Sequence, residues 1–254
     1  MIALLIARNT YREATRDRVL AGMAAAGVLF LLGVQVLTPL ALGEGRRLTM
    51  DLGLSAISTL GLLVVLLVGT SLVAKEIERR TIFNLLSRPI PRPVYLIGKW
   101  IGLMGAVWTI AGVLAVAQWL VLAARGYASW GPSLLQATYL AGLELSIVTA
   151  LAVMFSALST PVLSALYTLG CYCVGQWCYD LRAFAAQFPP SLRMVVETLA
   201  NLAPNLPLFN MRALASEGLT TSGLHLGLAT GYAVLYCGCV LALAAAAFES
   251  RDFK

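Results

Sequence analysis

ERRTIFNLLSRPIPRPVYLIGKW, residues 78–100, lies between two runs of very different composition. Residues 54–74 read LSAISTLGLLVVLLVGTSLVA, and residues 101–122 read IGLMGAVWTIAGVLAVAQWLVL. Each is uncharged and long enough to cross roughly 30 Å of hydrocarbon as a helix, which takes about 20 residues. The segment between them holds Arg79, Arg80, Arg88, Arg92 and Lys99, with Pro89, Pro91 and Pro93 at alternate positions. A basic, proline-punctuated link between two apolar runs defines the class: an all-α polytopic membrane protein.

The rest of the chain agrees. Of its 254 residues 59% are hydrophobic and 12% charged, against about 25% charged in a soluble domain; the mean hydropathy is +0.83. The apolar residues fall in runs that predict six transmembrane helices, near 20–42, 53–74, 100–124, 134–158, 161–178 and 224–247. Pro161 makes the fourth turn short, because proline disfavours helix at the residue before it. The first run follows a charged helical segment and exceeds the core of a signal peptide, so it reads as a retained span.

Basic residues orient the bundle. Four lie in the N-terminal segment, six in 75–99 and two in the C-terminal tail; six more are spread over the other connections. Both termini and the 75–99 segment are therefore expected in the cytoplasm. The net charge of +6 follows from this loop charge and implies no nucleic-acid partner. Residues 1–18 set Ile2, Leu5 and Ile6 against Arg8, Arg12 and Arg16, the pattern of a helix lying in the membrane interface. Residues 179–223 form a long outer segment, expected as short helices interrupted at Pro189–Pro190 and Pro204.

Catalytic signatures are absent. No G-x-x-x-x-G-K-[ST] loop is present, so no run of backbone N–H groups is available to cradle a phosphate. A single histidine, His225, and cysteines spaced C-x-C and C-x4-C suit neither a metal site nor a catalytic cluster. The expectation is no enzyme activity, no metal and no cofactor in this chain. One acid, Glu144, lies inside a span. Carboxylates are costly in hydrocarbon and must face protein or water, so Glu144 is either part of a substrate path or gate, or a hydrogen-bonded structural residue. Gly223, Gly227 and Gly231 form a small-residue ladder of the kind that lets helices approach closely in lipid. Contacts within the chain are the first explanation for it, and a dimer interface is the second.

Residues 76–92 carry more than loop charge. Glu76 stands four residues before Arg80, a favourable helical pair. Ile82, Leu85 and Leu86 make an apolar stripe beside Phe83, and the prolines then stop the helix. Such a stripe outside the spans needs something to dock on.

At this point the chain resembles the ABC-2 type permeases of ABC transporters. The resemblance rests on the cluster Glu76 to Arg80, on Thr81, Leu85–Leu86, Ser87-Arg88-Pro89 and Gly98–Lys99, with Arg80–Thr81 where such permeases often have Gly-Thr. It extends over nearly the whole length, through the acid in span four, FSALSTP at 155–161, Pro204–Asn205 and the charged end FESRDFK. It implies a permease subunit of an exporter in a bacterial-type inner membrane. Two permeases pair, as homodimer or heterodimer, and each binds a separately encoded ATPase subunit that carries ATP and Mg. The segment 75–93 would hold the coupling helix, with Ile82, Phe83, Leu85 and Leu86 filling a groove of the ATPase and Glu76, Arg79, Arg80 and Arg88 around it. The alternative is an ion-coupled carrier or channel using Glu144.

Overall fold

The computed structural model of the chain describes residues 2–38, 43–70, 91–185, 187 and 189–249. Among these residues the regular structure is helical throughout, with no strand. In chain order the helices are α1 (Ile2–Arg16), α2 (Arg18–Leu37), α3 (Gly45–Val64), α4 (Arg92–Ala124), α5 (Gly131–Leu158), α6 (Pro161–Gln176), α7 (Cys178–Ala185), α8 (Pro190–Leu202), α9 (Arg212–Ser216) and α10 (Gly223–Glu249).

Five of these elements are long and apolar enough to cross a membrane: Arg18–Val36, Gly45–Gly69, Pro93–Ala124, Ala128–Leu158 and Gly223–Ala247. The expected fifth span is α6. At 16 residues it measures about 24 Å, shorter than the roughly 30 Å hydrocarbon core. The expectation of six spans thus depends on this short helix.

Several boundaries move for visible reasons. Asp17 accepts a hydrogen bond from the Val19 amide at 3.0 Å, capping α2 and separating it from α1. The second span begins at Gly45, eight residues before the expected 53, because its first charges stay at the surface. Arg46 lies 5.5 Å from the Tyr127 ring and 5.6 Å from the Trp130 ring, and Arg47 pairs with Glu44 and Glu217. The third begins at Arg92, since Pro93 in the first turn is compatible with helix.

Contacts between helices give the direction of each. Arg125, just past α4, donates to the Gln35 carbonyl near the end of α2 at 3.1 Å, and Gly27 lies against Leu114, so α2 and α4 run the same way. Gly53 faces Gln118 and Gly69 faces Leu103, so α3 opposes α4. Gly61 meets Leu145, and Ser156 donates to the Thr70 carbonyl at 2.7 Å, so α5 runs with α3. The turn at Ser159–Pro161 sends α6 back along α5. Tyr139 and Thr230 share a hydrogen bond at 2.8 Å, and Gly218 packs on Trp130, so α10 again follows α5. These directions alternate. The start of α2, the end of α10 and the residues flanking 71–90 therefore share one end of the bundle, called the terminal end below.

α5 is the centre. It is apolar nearly all round, as a fully buried helix must be, and α3, α4, α6 and α10 pack around it. α3 ends in a π-helical turn at Val65–Gly69, whose Val65, Val68 and Gly69 are buried. α1 does not simply lie on lipid. Its small face, Ala7, Thr10 and Ala14, is buried, and it docks along α4 at Gly98, Gly102 and Gly105. A Cβ on Gly102 would come 2.5 Å from the Ala7 carbonyl oxygen. Tyr11 and Thr109 join the two helices by a hydrogen bond at 3.1 Å. Leu4, Leu5, Arg8 and Arg12 remain exposed on the other face.

Candidate functional site

The residues expected to dock an ATPase, Glu76, Arg79, Arg80, Ile82, Phe83, Leu85, Leu86 and Arg88, lie outside the described residues. Their neighbours are described. Of the Gly98–Lys99 pair, Gly98 takes the close approach of Ala3 and Ile6 of α1. Lys99 is buried, its ammonium 5.8 Å from the Tyr95 ring, a distance at which cation–π attraction acts.

Glu144 sits at the edge of a small polar cavity of about 120 Å³. Glu144 is the fourteenth of the 28 residues of α5, so the cavity lies near the middle of the bundle. Three helices and one returning segment build it. α3 contributes Ser58, α5 contributes Glu144, α6 contributes Tyr172 and Gln176, and residues 209–212 close it with Asn210 and Arg212.

Local sequence explains each placement. Glu144 lies 14 residues before the end of α5 at Leu158, and Gln176 lies 15 residues after the start of α6 at Pro161. A tight hairpin with arms of nearly equal length must bring them level. Gln176 Nε2 donates to Glu144 Oε1, so the carboxylate is not left without a partner although only 5% of the residue is exposed. Arg212 opens α9, where its backbone amide donates to Asn210 Oδ1 at 3.2 Å. Its Nη1 donates to Ser55 Oγ at 3.2 Å, and its positive charge acts on the Glu144 carboxylate. An isolated carboxylate in hydrocarbon would cost several kcal/mol. Here an amide donor, an opposite charge and a polar space roomy enough for water offset that cost.

The returning segment is held by Asn205. Its amide donates to the Tyr232 hydroxyl at 2.8 Å, its Nδ2 to the Tyr179 hydroxyl at 3.2 Å, and its Oδ1 accepts from the Cys178 thiol at 3.3 Å. Gly175 admits the Pro204 carbonyl, which would lie 2.8 Å from a Cβ there. Leu206, Phe209, Met211 and Ala215 are buried beneath it. Residues 204–216 thus dip into the bundle and press on α3, α5 and α6.

The glycine ladder behaves differently from the first explanation given above. Gly223, Gly227 and Gly231 are exposed, and a Cβ at any of them would meet nothing within 4 Å. α10 packs through Ala229, Ala233, Cys237, Val240 and Ala244 instead, so the ladder faces away from its own bundle. All five cysteines are free. Among the described residues no group of three His, Cys, Asp or Glu side chains could hold a metal ion.

Sequence reasoning found Glu144 but not its partners. Gln176 near the end of an apolar run was a legible signal. Arg212, one of three scattered arginines in the outer segment, carried none. Gln118 was a second polar residue inside a span; it is buried, and its Nε2 donates to the Thr49 carbonyl at 2.8 Å.

The arrangement gathers a carboxylate, amides, hydroxyls and a guanidinium from four parts of the chain. It is a polar lock inside a membrane bundle, with an apolar exterior. The family model described as ABC-2 family transporter protein matches residues 7–253. No curated protein matches the chain.

Proposed function

Given that the chain belongs to the ABC-2 transporter family, and so is a membrane transport subunit, we propose that it is the permease of an exporter driven by a separate ATPase subunit. The ATPase docks on residues 76–92 at the cytoplasmic face of a bacterial-type inner membrane, ATP and Mg belong to that partner, and a second permease completes the assembly. The observation that supports this reading best is the shared end of the bundle. Both ends of the described chain and both flanks of 71–90 meet there, on the side where twelve of the eighteen basic residues are found by sequence.

Coupling then has a short path. Residues 71–90 join the π-helical turn of α3 to the start of α4. A push on that segment bears on α3 and α4 together, and both line up against α5. Near mid-bundle the Glu144–Gln176–Arg212 lock ties the returning segment to α3, α5 and α6, where it acts as a gate. Ile82, Phe83, Leu85 and Leu86 fill the ATPase groove. Glu76, Arg79, Arg80 and Arg88 align it from the rim, where charge governs association rate and specificity.

Co-expression with a candidate ATPase subunit, followed by affinity capture, tests the proposal. Capture is expected for the parent chain and lost in Leu85→Asp with Leu86→Asp, while the variant still elutes as a folded membrane protein. Retained capture would overturn the docking assignment. Transport by the purified chain alone, abolished in Glu144→Gln, would favour the ion-coupled carrier instead.

A further inference from the structure

A second cavity, of about 900 Å³, opens on the opposite side of α5 from Glu144, between α4, α5 and α10. Its shape is the informative feature. On α4 the lining runs from Pro93 through Trp100 and Met104 to Trp108, and on α10 from Ala246 back to Ala233. Pro93 and Ala246 mark the terminal end of the bundle. Trp108 lies 16 residues from each end of α4, Arg92 and Ala124, which is the middle of the span. There the groove stops. Trp108 and Tyr139 meet edge to face at 5.9 Å and 63°, and Tyr139 is tied to Thr230 at 2.8 Å.

Its chemistry is equally restrictive. The main polar groups on the wall are already engaged with the protein. Trp100 Nε1 donates to the Ser146 carbonyl at 3.2 Å, and Trp108 Nε1 to Ser146 Oγ at 3.0 Å. Ser146 Oγ in turn donates to the Gly142 carbonyl at 2.7 Å. An occupant would meet hydrocarbon and aromatic surface with few free hydrogen-bond partners, which excludes a polar guest.

We infer that this groove holds one acyl chain of a phospholipid from the leaflet at the terminal end. Length distinguishes this occupant from a partner helix. From Pro93 to Trp108 the wall rises about 22 Å, which accommodates the roughly 15 Å of hydrocarbon in one leaflet. A transmembrane helix needs a groove that continues through both leaflets, and this one is blocked halfway. A single chain enters at Pro93 and Ala246 and ends against the Trp108–Tyr139 pair. The site lies away from the Glu144 cavity, so it stabilises the α4–α5–α10 side and is separate from the proposed gate.

The test uses the full complex in nanodiscs of phosphatidylethanolamine and phosphatidylglycerol. A small fraction of the phosphatidylethanolamine carries a diazirine at the end of one acyl chain, and cross-linked residues are mapped by mass spectrometry. Cross-links are expected to concentrate at Trp108 and Tyr139 over the lipid-exposed Leu29 and Val116. Gly238→Leu with Ala242→Leu fills the groove and removes the Trp108 and Tyr139 cross-links while those at Leu29 and Val116 persist. A Cβ on Gly238 meets nothing within 4 Å, so the change is compatible with the fold; the parent chain's labelling pattern decides the question independently. Even labelling of all four positions, or labelling unchanged in the variant, overturns the inference. So does a disulfide from Gly238→Cys to another polypeptide, which would show a helix in the groove.

Discussion

Gln176 on α6 donates a hydrogen bond to the Glu144 carboxylate on α5, and the two residues stand at nearly equal distances from the turn that joins their helices. This contact makes a buried acid tolerable and links the central helix to the short helix beside it. It also lies where Arg212 and Asn210 of the returning segment complete the cavity wall.

Removing the donor should therefore cost more than losing one average hydrogen bond. Gln176→Leu is expected to destabilise the subunit by about 1–3 kcal/mol, because a buried acceptor loses its amide donor. Adding Glu144→Gln should recover part of that loss, since a neutral amide is cheaper to bury. Thermal unfolding of both single variants and the double variant in detergent gives the coupling energy. Additivity within about 0.5 kcal/mol would mean that the pair is not coupled.

Docking of α1 on α4 makes a sharper prediction. Gly102→Val should displace α1, because the new Cβ meets the Ala7 carbonyl oxygen at 2.5 Å and Thr10 Cβ at 2.7 Å. Gly112→Val on the same helix should be silent, since nothing lies within 4 Å of its Cβ position. Limited trypsin digestion at Arg8, Arg12 and Arg16 reads the difference. Faster cleavage in Gly102→Val alone is expected, and equal cleavage in both variants would contradict the docked geometry.

The glycine ladder should be dispensable for the fold of one chain. Gly227→Leu with Gly231→Leu is expected to leave the thermal midpoint of the isolated subunit nearly unchanged, because each Cβ enters open space. If the same variant alters the mass of the assembly in native mass spectrometry, the ladder is a contact between subunits. A large drop in the subunit's own midpoint would show that the ladder packs internally after all.

Rim charge on the 76–92 segment should reveal itself through salt. Arg79→Ala with Arg80→Ala is expected to slow ATPase association and to flatten its dependence on ionic strength, because exposed charges are screened beyond about 10 Å at 0.1 M salt. Surface plasmon resonance at several salt concentrations gives both slopes. Unchanged association rates would remove these arginines from the docking surface.

Much of the bundle was legible because its signal is local. A helix satisfies all its backbone hydrogen bonds within one segment, so it can span lipid, and long apolar runs such as 101–122 declare themselves without reference to any other part of the chain. The starts of α3 and α4 were less legible. Arg46 and Arg92 look like loop charge outside the spans, yet they lie in the first turns of α3 and α4, because Tyr127 and Trp130 receive Arg46 and Pro93 is compatible with a first helical turn. The site was half legible. An acid at 144 within an apolar run is visible by composition alone; its relation to Arg212, 68 residues away, is not.

By itself, the sequence determined the class, the places where the long apolar helices begin and end to within about eight residues, and the family resemblance carried by Glu76 to Lys99. These follow from residue type and short-range spacing. Only the tertiary structure decided that α1 is seated on Gly98, Gly102 and Gly105, that the ladder from Gly223 to Gly231 faces outward, and that Glu144 is met by Gln176 and Arg212. A helix shows the same periodicity whichever way its faces point. Which face is buried depends on the neighbours that the turns bring alongside it, and that information is distributed over the whole chain.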